Sequence, residues 1–292
     1  MIKIVFAGSG SLVEALIETI RPHFALAGVV LSPQMPASAL TGMKAFCQAR
    51  NIHYQYGFEG LAADIYLTPN YPILLDSTFL KGRLCLNVHF ALLPKYRGFH
   101  PVQCAIINDE KQVGYTLHQV DEGIDSGPIY FQKSFEVNDA DNIHTLNSRL
   151  AEDLITNFLG YLNEIIAGKK PKDQNESQAT WGGRRHPEDG LINWRETSRE
   201  IFNLVRAVQP PYYPGAYTYL KDKKIIIART IPVQVAPYKH IPGQIVDVQR
   251  DKGLLVKTGD TLLWLTKVWE DGVEHPAGEF IGLKIGSRFK SI

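Results

Sequence analysis

Asn87 and His89 stand two residues apart at the end of an apolar run, inside Leu86–Gly98 (LNVHFALLPKYRG). On a strand, side chains at i and i+2 leave the same face, so an amide and an imidazole would emerge together where the strand stops. Pro94 cannot donate to a sheet and biases Leu93 toward extended geometry, so Ala91–Pro94 must turn sharply. An amide can donate to a charge developing on oxygen and an imidazole can donate or carry a proton, so a site is expected where this strand ends. Some thirty residues on, Gly114–Pro128 (GYTLHQVDEGIDSGP) supplies Asp125 within a D-x-G-x-D-x-G run. That carboxylate would either raise the imidazole's pKa or take the proton itself, directly or through water; the residues leave both roles open. There is no GxSxG elbow, so direct transfer without a covalent enzyme intermediate is expected. His89, His100 and His118 lack metal-ligand spacing with carboxylates or thiols, and no metal is expected.

The two motifs together, NVH…LLPKYRG and G-x-T…D-x-G-x-D-x-G, resemble the active-site region of the folate-dependent formyltransferases. That family includes glycinamide ribonucleotide formyltransferase, methionyl-tRNA formyltransferase and the nucleotide-sugar N-formyltransferases. By this resemblance Asn87, His89 and Asp125 match the catalytic Asn, His and Asp. The resemblance implies 10-formyltetrahydrofolate as the formyl donor and co-substrate. Its pterin is expected against Tyr71, Ile73 and Leu74 and against Val120 and Asp121, with apolar cover from Phe79 and Leu92. For Phe79 and Leu92 the alternative is a plain core role, and for Asp121 a turn carboxylate. His118, on an alternating strand, reads as structural.

The elements that must position these residues read as follows. Lys3–Ala7 is a buried-type strand, Gly8–Ser11 a glycine turn, and Leu12, Leu16, Ile17 and Ile20 a helical stripe capped by Ser11. The turn resembles a dinucleotide-binding unit. Val13 replaces its third glycine, and no acidic residue ends the next strand, Leu26–Leu31. A nicotinamide-dependent oxidoreductase or a nucleotide-binding module using Gly8–Gly10 is therefore the different-class alternative. Thr41–Arg50 is expected as a helix, and Asp64–Leu67, Ile73–Leu75 and Leu84–His89 as strands. Val113–Val120 and Ile129–Val137 should flank the acidic loop, and Asp141–Ile166 forms a long amphipathic helix.

Composition shifts at the polar stretch Lys169–Ser177. Residues 1–178 are expected to be the catalytic domain, 179–209 a linker and helix, and 210–292 a small antiparallel β-barrel of OB-like type. The fold class is thus α/β, a Rossmann-like formyltransferase domain with a mostly parallel sheet, followed by that barrel. RRHPEDGLINW with NLVRAVQPPYYPGA, and the closing GLKIGSRF, extend the resemblance over nearly the whole chain.

The 292 residues carry 31 Lys+Arg against 30 Asp+Glu, unevenly placed. Residues 1–168 hold 11 basic against 16 acidic residues, a net of −5, and residues 169–292 hold 20 against 14, a net of +6. No block of five basic residues marks a nucleic-acid surface. No run of 18 apolar residues marks a membrane span, and the N-terminus does not read as a signal peptide, so a cytoplasmic location is expected. Cys47, Cys85 and Cys104 lack CxxC spacing and read as free thiols.

A methionyl-tRNA formyltransferase would be expected to carry a basic insertion after the second strand. Here that region is LSPQMPASALTG, without a charge. The acceptor expected is therefore a nucleotide-linked amino sugar, as in lipopolysaccharide biosynthesis, with methionyl-tRNA the alternative. Tyr96, Arg97, Gly98, Trp181, Arg184, Arg185 and Tyr213 are the residues expected to hold it. A homodimer is left open.

Overall fold

The structure is a computed structural model that describes residues 1–211, 214–279 and 283–290. Tyr213, and Gly282 of the closing motif, lie outside the described residues. The chain divides into two units. The first takes Met1–Pro101, Val113–Phe135 and Ser148–Gly182; the second takes residues 102–112, 136–147 and everything from Gly183 on.

The first unit is built on a seven-stranded sheet. Its strands are β1 (Lys3–Ala7), β2 (Ala25–Leu31), β3 (Tyr54–Tyr56), β4 (Ile65–Leu67), β5 (Leu84–His89), β7 (Gln112–Gln119) and β8 (Ile129–Glu136), with β6 (Arg97–Gly98) set apart. Helices α1 (Ser11–Ile20), α2 (Ala37–Ala49) and α3 (Ser77–Leu80) and most of α5 (Ile143–Ile166) belong to this unit, whereas α4 (Pro101–Ile107) falls in the second from Val102 on. The order β3-β2-β1-β4-β5-β7-β8 is parallel from β3 to β5 and turns antiparallel at the β5–β7 pair. Ile4, Val5 and Phe6 are fully buried, as an apolar run in a two-sided sheet must be. Each such side chain contributes about 1.5–3 kcal/mol. Leu150, Leu154, Phe158 and Leu162 form the buried stripe of α5 expected from their spacing.

Several local expectations need correction. Gly10, not Ser11, is the N-cap of α1, at φ 101°, and no side chain caps that end. Gly8 is required by close approach: a Cβ there would lie 1.9 Å from the carbonyl oxygen of Pro69. Helix α2 starts at Ala37, four residues before Thr41, because Pro36 at its N-cap needs no amide partner. Ile73–Leu75 is not a strand. Strand β4 is already flanked by β1 and β5, so this run has no place beside it, and Leu74 is left exposed. The stretch Lys169–Ser177 is not a free linker. Lys172 pairs with Ile129, and β9 (Trp181–Gly182) pairs in parallel with β6.

In the second unit, α6 (Ser198–Ala207) starts on a reciprocal box in which Thr197 and Glu200 satisfy each other's backbone amides. It buries Ile201, Phe202 and Val205. Arg199 on its other side reaches Asp109 and Asp139, and Arg206, buried, donates to the carbonyls of Asn138 and Asp141. Six antiparallel strands follow: β10 (Ala216–Leu220), β11 (Lys223–Val233), β12 (Ile245–Gln249), β13 (Gly253–Lys257), β14 (Leu262–Glu270) and β15 (Val273–Pro276). The path β10-β11-β14-β13-β12 has two ends, and the chain's tail bonds to both. Ser287 and Phe289 pair with Ile245 and Gly243, and the amide of Lys290 donates to Tyr219. That closure is the barrel-like feature expected of this part.

Candidate functional site

The polar cluster sits at the carboxyl end of β5, where open α/β sheets place ligands. Antiparallel register sets Asn87 opposite His118 and His89 opposite Thr116, so all four side chains share one face. Asp125 arrives from the loop between β7 and β8. Its carboxylate lies 3.4 Å from His89 Nδ1 and 3.4 Å from His118 Nε2, and accepts from Asn87 Nδ2 at 3.3 Å. A shorter bond, 2.8 Å, comes from the backbone amide of Gly98.

The loop geometry that delivers these groups is unusual. Tyr96, Gly98 and Asp125 all lie at positive φ, 58°, 85° and 51°. The Leu93–Pro94 bond is cis, and Thr116 ties the turn by donating to Ala91 O at 2.6 Å. Asp121 accepts from the Gly123 amide and the Ser126 hydroxyl, shaping the acidic loop from within.

The hydrogen bonds assign the tautomers. A carbonyl only accepts, so His89 Nε2, 2.8 Å from Tyr96 O, carries hydrogen, as does His118 Nδ1, 2.9 Å from Gln119 O. In the neutral form both rings therefore turn a bare nitrogen toward the same carboxylate. Asp125 is held down at about 2: burial opposes this, but the His118 and His89 rings in their protonated form, with the Gly98 amide, outweigh it. Of the two roles left open for Asp125, raising the His89 pKa above its ordinary value is not the one the site favours. Burial lowers it, and this outweighs the opposing pull of Asp125 and the Tyr96 carbonyl. With Asp125 ionised and the His89 imidazole neutral, the cluster can thus accept one proton between an imidazole and a carboxylate.

A stability consequence follows from the sign. Folded His89 binds its proton less readily than in the unfolded chain, so below about pH 6.5 the unfolded state holds more protons and stability falls as pH falls. Asp125, also held below its unfolded value of 3.8, acts in the same sense at lower pH: the stability it contributes is lost as pH falls from about 3.8 toward 2. We expect the melting temperature of His89→Gln to gain on the wild type as pH drops from 7.5 to 5. A difference that stays constant or moves the other way would contradict the buried neutral imidazole.

The donor and acceptor residues read from the sequence fall into distinct places. Tyr71, Phe79 and Val120 pack against the core cluster of Val5, Val30 and Tyr66. Tyr71 meets the ring of Phe58 at 5.6 Å. Ile73 and Leu74 are exposed, and Leu92 is half-buried. Tyr96 and Gly98 contribute backbone atoms. Arg97 is not available to a substrate: it is 3% exposed, bound to Glu176 and Gln174. Trp181, exposed, pairs with Arg97 across β6 and β9, its ring 6.0 Å from the guanidinium. Arg184 and Arg185 belong to the second unit, where Arg185 donates to Asp189 O. His118 was read as structural, and Gln174 was not singled out. The alternation Thr116–His118 carried a signal for the first; nothing local marked the second. Among the described residues no group of His, Cys, Asp or Glu could hold a metal ion, and no helix is long and apolar enough to cross a membrane.

Comparison with known proteins places this site in a family. Residues 33–157 match the model of the formyl transferases, and residues 185–282 that of the formyl transferase C-terminal domain. A methionyl-tRNA formyltransferase of Thermodesulfovibrio yellowstonii is 38% identical over 212 residues, 71% of this chain and 66% of that protein. One from Kosmotoga olearia is 32% identical over 270 residues, 85% and 86% of the two chains. Among solved structures, WlaRD, a sugar 3N-formyl transferase crystallised with dTDP and 5-N-formyl-THF, superposes with a TM-score of 0.69 at 23% identity. It is matched over 91% of this chain and 97% of its own. HypX from Aquifex aeolicus, in complex with tetrahydrofolic acid, matches at a TM-score of 0.64 and 20% identity, covering 96% of this chain. The chain spans 47% of HypX, and just under two thirds of the first relative. With both family models matched in order and the Asn87–His89–Asp125 cluster assembled at the end of β5, the chain belongs to the formyltransferase family.

Proposed function

We propose that this chain transfers the formyl group of 10-formyltetrahydrofolate to a primary amine by direct attack, at the Asn87–His89–Asp125 cluster. The observation that carries this reading is a carboxylate faced by two bare imidazole nitrogens and an amide. Two features of the chain fit such a pair of substrates. The buried Oδ1 of Asn87 has no hydrogen-bond partner among the described residues and suits an N–H of the incoming amine. Leu74 offers exposed apolar surface of the kind a flat ring system covers.

As the amine nitrogen bonds to the formyl carbon, charge moves to the formyl oxygen and the nitrogen becomes acidic. Asn87 Nδ2, held only by long contacts of 3.3 and 3.4 Å, exchanges them for a short bond to that oxygen. The nitrogen's proton passes to the His89–Asp125 pair. It leaves with the departing folate nitrogen when the old carbon–nitrogen bond breaks, so the pair ends as it began.

For the acceptor we propose a nucleotide-linked amino sugar. The connection from β2 to α2 is only Ser32–Pro36, five residues without charge, which leaves no basic arm there to grip a nucleic acid. A second reading, methionyl-tRNA, is favoured by the names of the sequence relatives, which back it better than they back a sugar. One assay separates them: labelled formyl donor with a panel of dTDP-, UDP- and GDP-linked amino sugars beside charged initiator tRNA. We expect formylation of an amino sugar, at a rate that changes little between 50 and 200 mM salt. Formylation of methionyl-tRNA alone, with affinity falling steeply over that range, would hand the acceptor to the second reading.

A further inference from the structure

We propose that Gln174, outside the catalytic cluster, is a positioning residue that fixes Asp125 through its main chain; this rests on the transfer reading given above. The carboxamide of Gln174 is used completely. Its nitrogen donates to the carbonyl oxygens of Asp125 at 2.7 Å and Gly127 at 2.8 Å. Its oxygen accepts from Arg97 Nε at 3.2 Å and Nη2 at 2.8 Å. Both donors and both lone pairs of one side chain are therefore committed to this bridge.

What the bridge holds explains its cost. Asp125 sits at φ 51°, a left-handed conformation uncommon outside glycine though one that Asp and Asn adopt more readily than most, and its side-chain contacts to the two imidazoles are long. Those contacts cannot themselves hold the backbone in that conformation. Two short bonds onto the carbonyls of residues 125 and 127 can. Arg97 anchors the far side: it is buried, paired with Glu176, and precedes Gly98, whose amide holds the other face of the carboxylate. The carboxylate is thus clamped by one frame, from the backbone below and the Gly98 amide beside it. A displacement of about 1 Å there would cost on the order of a hundredfold in rate.

The test is a mutant cycle read by turnover. Gln174→Ala should lower kcat by about ten- to a hundredfold with the folate KM nearly unchanged, because the lost contacts act on a reacting group. Gln174→Glu keeps the size and the Arg97 partner but loses both donors to the carbonyls, and should fall comparably; it reads the proposal if the alanine variant does not fold. In the Asp125→Asn background, Gln174→Ala should cost less than threefold further, since the group it positions is already disabled. Full additivity, or near-wild-type kcat in Gln174→Glu, would overturn the positioning role. If Asp125→Asn itself were fully active, the transfer reading would fail instead, so the two failures are distinct.

Discussion

Asp125→Asn should lower turnover by about a thousandfold while leaving the fold in place. The amide is isosteric with the carboxylate and still accepts the Gly98 N–H through its oxygen, so the 2.8 Å bond that seats the loop survives. What disappears is the charge that two imidazoles face at 3.4 Å, and with it the one group able to share the amine's proton with His89. Loss of a proton-transfer partner alone is worth about 10²–10⁴ in rate. The check is kcat at saturating donor and acceptor, with the circular-dichroism melt as control. Turnover within tenfold of the wild type would remove Asp125 from the chemistry.

Gly127→Ala should be nearly as damaging by a different route. A Cβ there would lie 1.9 Å from the carbonyl oxygen of Gln119, a backbone atom that cannot rotate away. The loop must shift, breaking the Gln119 amide bond to Pro128 and the Gln174 bond to Gly127. We expect a stability loss of about 1–3 kcal/mol and a rate loss of at least about a hundredfold, because Asp125 moves with the loop. A crystal structure or melt showing the loop and stability unchanged would refute the close-approach account of this glycine.

These residues also show how far the sequence could be read. Asn87 and His89 were legible because the two-residue period of a strand is local, and the acidic motif announced Asp125. The partner of that motif was not. His118 becomes a site residue only through the antiparallel register that sets it opposite Asn87, a pairing no local pattern encodes. Arg97 looked like a cation for a phosphate, but burial and two partners almost eighty residues away, Gln174 and Glu176, have already claimed its charge. Those partners lie in a polar stretch that composition marks as a solvated linker, since composition is blind to where a side chain's acceptors lie. The direction of the His89 pKa was open in the sequence for a related reason. A neighbouring carboxylate raises it, burial lowers it, and only packing decides which is larger. In the sheet, the apolar run Ile73–Leu75 had the right residues for a strand, but both sides of the preceding strand β4 are taken by β1 and β5.

The most direct test of the account follows the formyl carbon itself. Purified protein is mixed with 10-formyltetrahydrofolate carrying carbon-13 in the formyl group, with each candidate amine in turn, and the carbon signal is followed over time. The account predicts that the label leaves the folate and reappears as a formamide on one acceptor, with tetrahydrofolate formed in equal amount and no labelled protein. Label retained on the folate with every amine, or released as free formate at the same rate with and without acceptor, would contradict it.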